Sequence, residues 1–230
     1  MTRVDPEALR VYVLTSASFG GRSHRDVAVA AIAGGATAVQ LRAPELPDDE
    51  LFEAATELAD RCREAGVLFV VNDRPDVAVA SGAAGAHLGQ RDDLEGARSS
   101  LGPDGVLGIS VGSVEQTRVA VDRGADYVAV TVWGTSTKRE AVPGGLGLVR
   151  EIADVSPVPV VGIGGIDATN AASVLASGAA GVAVISAVAA ATDPVDATRA
   201  LARAVDLEPS GSRPARGRGR PGEARGGRMR

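Results

Sequence analysis

Lysine is nearly absent from this 230-residue chain: of its 24 lysines and arginines, Lys138 is the only lysine. Cysteine is as scarce, and Cys62, standing alone, excludes an internal disulfide. It lies among Ala59, Arg61 and Arg63 in a stretch of helical spacing, where a packing or surface thiol is expected rather than a nucleophile. Aromatics are 3% of the residues, so the core has to be built from Ala, Val, Leu and Ile. No apolar run reaches the length of about eighteen residues that a membrane-spanning helix needs without meeting a charge or a glycine. The opening MTRVDPEALR lacks the basic and apolar blocks of a signal peptide. A cytoplasmic protein without a membrane partner is therefore expected. Of the two histidines, His87 is expected to pack at a strand end and His24 to start a helix.

What is present is one sizeable core and an uneven charge. With 45% hydrophobic residues and a mean hydropathy of +0.09, residues 1–205 read as a single folded domain. Between Arg213 and Arg230 seven arginines face only Glu223, so the formal net charge of −5 leaves −11 on residues 1–212. An acidic, lysine-poor body would suit a high-salt interior, although a GC-rich genome also produces an arginine bias. Residues 206–230, rich in Gly, Pro, Arg and Ser, have too few apolar side chains to bury and are expected to be a disordered tail. No aromatic interleaves its arginines, so contact with nucleic acid would be nonspecific.

The stretch around which the rest is organised is 158–188, VPVVGIGGIDATNAASVLASGAAGVAVISAV. Its first run, 158–163, is apolar and β-branched without alternation, as a strand covered on both faces must be. Gly162, Gly164 and Gly165 then turn the backbone and bare their N–H groups, Thr169 starts a helix ending at Ser177-Gly178, and 181–185 is a second strand followed by Ser186. The same pattern runs through the chain. Strands are predicted at 11–14, 38–41, 67–71, 86–88, 106–109 and 127–132. Helices are predicted from Ser23 or Asp26 through Ala33, and over 48–65, 77–80, 94–101, 114–123, 146–153 and 194–205. Eight strands alternating with helices at intervals of about twenty residues are the signature of a parallel (β/α)8 TIM barrel, whose compact limit of about 200 residues the body matches.

Polar residues at the C-terminal ends of barrel strands read as functional. Here they are Gln40 and Arg42, two apart and so able to face one cavity, then Asn72 and Asp73, Asp92, and Ser110. Thr135, Thr137 and Lys138 follow the sixth strand, Gly165 the seventh, and Ile185-Ser186 the eighth. Two carboxylates from neighbouring strands beside an arginine and a lysine suggest Mg2+ holding a diphosphate, because Mg2+ keeps few protein oxygens and completes its octahedron with phosphate and water. Turn formation by Asp73-Arg74-Pro75 is the plainer alternative. The last two strand exits can hold a phosphate through backbone amides.

Several ordered motifs resemble one family. They are QLR at Gln40–Arg42, VNDR at Val71–Arg74, HLGQRD at His87–Asp92, GIS at Gly108–Ser110, TSTK at Thr135–Lys138, GIGGI at Gly162–Ile166 and GVAVISA at Gly181–Ala187. Together, from Val11 to about Val205, they resemble thiamine-phosphate synthase, a barrel enzyme that joins a pyrimidine diphosphate to a thiazole phosphate. The resemblance implies that Asp73 and Asp92 ligate Mg2+, that Gln40, Arg42, Asn72 and Lys138 hold the pyrimidine diphosphate, and that Ser110 helps the diphosphate leave. Thr135, Thr137, Gly165, Ile185 and Ser186 would hold the thiazole phosphate. It also implies small-molecule partners, and barrels of this size often pair as homodimers.

The chain departs from the family at three places. Pro44 stands where a lysine is usual, Val130-Thr131 where Gly-Pro precedes the aromatic Trp133, and Gly112 where a histidine follows the Ser110 strand. Arg91 or Arg74 is expected to replace the missing charge. The loss at Pro44 favours the sister family of thiazole tautomerases, although Thr131 stands where those enzymes resemble histidine-dependent catalysts. A phosphate-ligand-binding barrel without turnover is the third alternative. Trp133 is expected either to stack on the pyrimidine or to close the barrel mouth.

Overall fold

Strands as uniformly apolar as Val11–Leu14 (β1) need cover on both faces, and a closed barrel wrapped in helices supplies it. A computed structural model describes residues 4–17, 19–134 and 142–206. β1 is followed by Ala38–Leu41 (β2), Leu68–Asn72 (β3), Gly85–Leu88 (β4), Val106–Val111 (β5), Tyr127–Thr131 (β6), Val160–Ile163 (β7) and Gly181–Val184 (β8). All neighbours pair in parallel and in chain order, and β8 returns to β1 with Val182 opposite Val11. The helices are His24–Gly34 (α1), Asp48–Ala65 (α2), Pro75–Ser81 (α3), Leu94–Leu101 (α4), Val114–Asp122 (α5), Gly145–Val155 (α6), Ala171–Ala176 (α7), Ser186–Ala189 (α8) and Pro194–Asp206 (α9). No helix among the described residues is long and apolar enough to cross a membrane.

Local chemistry sets several element ends. Ser23, Asp93 and Ser113 each accept a hydrogen bond from the backbone N–H three residues on, capping α1, α4 and α5. Three expectations are corrected by similar local effects. The seventh strand begins at Val160 rather than at 158, because Pro157 and Pro159 offer no N–H to a ladder and Val158 instead bonds Ser156 Oγ, at 3.3 Å. Helix α7 begins at Ala171 rather than at Thr169, because the Asp167 carboxylate accepts both the backbone N–H and the hydroxyl of Thr169, at 2.8 and 2.6 Å, in a turn. The last helix runs through Asp206, the first residue of the expected tail, and residues 207–230 lie outside the described residues.

Alternation along the strands separates two shells. Tyr12, Leu14, Ala38, Val70, Val106, Tyr127, Val161 and Ala183 fill the barrel interior, joined by Leu9 just before β1. Val13, Val39, Val71, Leu107, Val128 and Val182 point outward to the helices. Helix α9 closes the ring against α1, where a Cβ at Gly34 would come within 2.5 Å of Thr198 Cβ.

Candidate active site

Parallel closure places every strand's C-terminal end on one rim, so residues dispersed along the chain become neighbours there. At the β1 exit, Thr15 donates its N–H to Gln40 O at 2.9 Å while its hydroxyl accepts from the Arg42 N–H at 3.2 Å. The same hydroxyl meets His24 Nδ1 at 2.9 Å, and His24 Nε2 lies 2.6 Å from Glu45 Oε1. Glu45 loses some hydration there, yet the His24 hydrogen bond and the nearby Arg42 charge hold its carboxyl below the usual range. His24 does start a helix, and it also ties the first two strand exits together. Gln40 lies within β2 and is almost wholly buried inside the barrel, whereas Arg42 follows the strand's last residue and is half-buried at the rim.

At the next two exits, Asn72 ends β3 and donates its amide N–H to the Asp73 carboxylate at 2.6 Å. The Asp73 backbone N–H reaches across to His87 O of β4 at 2.9 Å. In the loop after β4, the exposed Asp92 carboxylate accepts the Gly89 N–H at 2.6 Å. Two exposed carboxylates therefore stand at adjacent exits. That donor set fits Mg2+, which needs only one or two carboxylates and takes the rest of its shell from phosphate and water. No group of three or more His, Cys, Asp or Glu side chains among the described residues forms a fuller metal cluster.

Ser110 lies within β5, which runs on to Val111, and its hydroxyl lies 3.0 Å from His87 Nε2. Gly164 and Gly165 follow β7 with φ of 93° and 69°, a left-handed pair that a side chain would strain. Trp133, half-buried after β6, packs beside this turn: its N–H donates to Gly164 O at 3.3 Å, and a Cβ on Gly165 would stand 3.1 Å from Trp133 Cβ. Ile185 caps α8 and Ser186 is its first residue, one strand exit away. Thr135, Thr137 and Lys138 lie outside the described residues.

Two side chains inside the barrel were missed from sequence. Tyr12 and Tyr127 meet inside the barrel with hydroxyls 2.9 Å apart, and His87, expected only to pack, bonds both Tyr127 and Ser110. A signal was available: they are the chain's only tyrosines, and both stand in strands whose other residues are largely aliphatic. Of the two arginines expected to replace the charge missing at Pro44, Arg74 is engaged by Asp76 and Asp48, at 2.8 and 2.6 Å. Arg91 is exposed beside Asp92.

A family model described as thiamine monophosphate synthase matches residues 11–188. The chain belongs to the thiamine monophosphate synthase family. A thiamine-phosphate synthase of Natronomonas pharaonis is 46% identical over 202 residues, covering 85% of this chain and 94% of that one. One of Roseiflexus sp. is 48% identical over 199 residues, covering 85% and 84%. A solved thiamine phosphate pyrophosphorylase of Pyrococcus furiosus superposes with a TM-score of 0.82 at 38% identity, over 87% of this chain and 97% of that one. Membership makes this chain a transferase of thiamine biosynthesis, and barrel enzymes build their active sites on the C-terminal rim.

Proposed function

We propose that this chain condenses 4-amino-2-methyl-5-hydroxymethylpyrimidine diphosphate with 4-methyl-5-(2-phosphoethyl)thiazole, in the cytoplasm, to give thiamine monophosphate and diphosphate. The C–O bond to diphosphate breaks first and its electron pair leaves with the diphosphate. The pyrimidine stabilises the carbocation left behind, and the thiazole nitrogen's lone pair closes the new C–N bond. No general base is required; positive groups and hydrogen-bond donors are required where negative charge grows.

Arg42, Asn72, Lys138 and Gln40 would hold the pyrimidine diphosphate, and Ser110 would donate to the departing group. Asp73 and Asp92 would hold Mg2+, which supplies positive charge against the diphosphate. Gly165, Ile185, Ser186, Thr135 and Thr137 would hold the thiazole phosphate, the glycine turn offering backbone N–H groups. What carries this function is the convergence on one rim of Arg42, the Asn72-Asp73 pair and the Asp92 loop, with the Gly164-Gly165 turn on the same rim. Supplying both substrates with Mg2+ should yield thiamine monophosphate and one diphosphate per turnover. Isomerisation of the thiazole phosphate without diphosphate release would instead assign the sister activity that Pro44 favours.

A further inference from the structure

A continuous line of hydrogen bonds crosses the barrel interior. Gln40 Nε2 donates to the Tyr12 hydroxyl at 2.5 Å, and Tyr12 and Tyr127 hydroxyls are 2.9 Å apart. Tyr127 OH lies 3.0 Å from His87 Nδ1, and His87 Nε2 lies 3.0 Å from Ser110 Oγ. Gln40, Tyr12, Tyr127 and His87 are 1, 2, 0 and 6% exposed. Room for it is built in: Gly108 is paired with Tyr127 across β5 and β6, and a Cβ at Gly108 would stand 2.1 Å from Tyr127 Cζ.

The direction of this line follows from counting protons. An amide nitrogen only donates, so Tyr12 accepts from Gln40. Tyr12's single hydroxyl hydrogen then has one other partner among the described residues, Tyr127, and a buried donor without an acceptor is costly. Tyr127, having accepted, donates its own hydrogen to His87 Nδ1. A neutral imidazole that accepts at Nδ1 carries its proton on Nε2 and donates there, to Ser110 Oγ. Ser110's own hydrogen is thereby left unused by the line. Burial keeps both phenols protonated through any ordinary pH, so neither link is lost by ionisation. Gln40 Oε1 is buried without a partner among the described residues, so the line begins at an acceptor that a ligand N–H can satisfy, and such a donor would hold the amide in this orientation.

We propose that Tyr12, Tyr127 and His87 form a one-way hydrogen-bond relay that locks His87 as its Nε2–H tautomer and turns the Ser110 hydroxyl hydrogen outward to donate to the departing diphosphate. This rests on the proposed function only for what Ser110 faces. Turning the Gln40 amide over would reverse every link, make His87 accept from Ser110, and present a lone pair to an anion. The three residues are positioning residues and act through Ser110.

Nitrogen-15 NMR of the imidazoles in the full wild-type chain reads the tautomer without substrate, and with two histidines the assignment needs only a His87→Gln spectrum. His87 should carry its proton on Nε2; a proton on Nδ1 overturns the relay. In kinetics, Tyr127→Phe keeps the ring over Gly108 and should lower kcat about tenfold, part of the ~10²-fold that losing such a donor costs. The KM for the diphosphate substrate should stay within about twofold. In a Ser110→Ala background the same change should cost less than about twofold, because its target is gone. His87→Gln, whose amide N–H falls near Nε2, should retain most turnover while His87→Leu does not. An undiminished kcat in Tyr127→Phe, or an equal loss with and without Ser110, overturns the proposal. Should Tyr127→Phe fail to fold, the wild-type tautomer still decides. A wild-type chain that makes no thiamine monophosphate counts against the proposed function and leaves the tautomer result standing.

Discussion

Asp73 has a φ of 59°, the one positive value outside glycine among the described residues. Aspartate tolerates the left-handed region better than most side chains, but at some strain. That conformation sets its carboxylate against the Asn72 amide at the rim, where Asp92 stands one exit on. Asp73→Asn and Asp92→Asn keep the shape and remove the charge. Each should raise the Mg2+ concentration for half-maximal turnover by about tenfold or more, measured by titrating Mg2+ at saturating substrates. An unchanged Mg2+ dependence would remove both residues from the metal site. At Cys62 the effect is opposite in kind: burial pushes the thiol from 9.0 up to about 12. The native protein should therefore react with a disulfide reagent far more slowly at neutral pH than the urea-unfolded chain. Because the folded value is the raised one, the associated stability is intact below pH 9 and erodes as pH climbs from there toward about 12. A native thiol that reacts as fast as the unfolded one would refute this.

Helices and strands report how much local sequence can specify. Helix α2, Asp48–Ala65, matches its sequence reading to the residue, since three acidic residues open it and Gly66, at φ 69°, ends it. Helix α7 does not, because a threonine near a helix start is indistinguishable in sequence from one captured by Asp167, and only the turn's geometry shows which carboxylate accepts. A second feature invisible in sequence joins α4 to β6 at the end of the barrel away from the site. Arg98 donates to the carbonyls of Gly102, Gly105 and Gly124 and to Asp126, whose carboxylate also accepts the Leu107 N–H. Asp126 is 5% exposed on its side chain, so Arg98→Ala would leave a buried carboxylate short of its cation. Such a loss costs about 3–5 kcal/mol, and urea denaturation should show the midpoint falling with little change in slope. A midpoint shift equivalent to less than about 1 kcal/mol would mean that Arg98 acts as ordinary surface charge.

Over the whole molecule, charge and closure matter most. Residues 1–212 carry −11, against seven arginines in 213–230. Self-repulsion of that body is screened as the Debye length falls from about 10 Å at 0.1 M salt to about 3 Å at 1 M. A chain ending at Asp206 should therefore melt at a higher temperature in about 1 M KCl than in about 0.1 M, and indifference to salt would set aside a high-salt adaptation. Eight strand–helix units, the order of their polar exits and the acidic body were determined by the sequence alone, because apolar runs, caps and glycine stops act within a few residues. Which inward side chains meet was decided only by the closed barrel. Tyr12 and Tyr127 stand 115 residues apart, and nothing in the local pattern of either strand names its partner. Closure makes the choice, because register and curvature fix which polar tips reach each other where water is excluded, and there an unmet donor is too costly to leave.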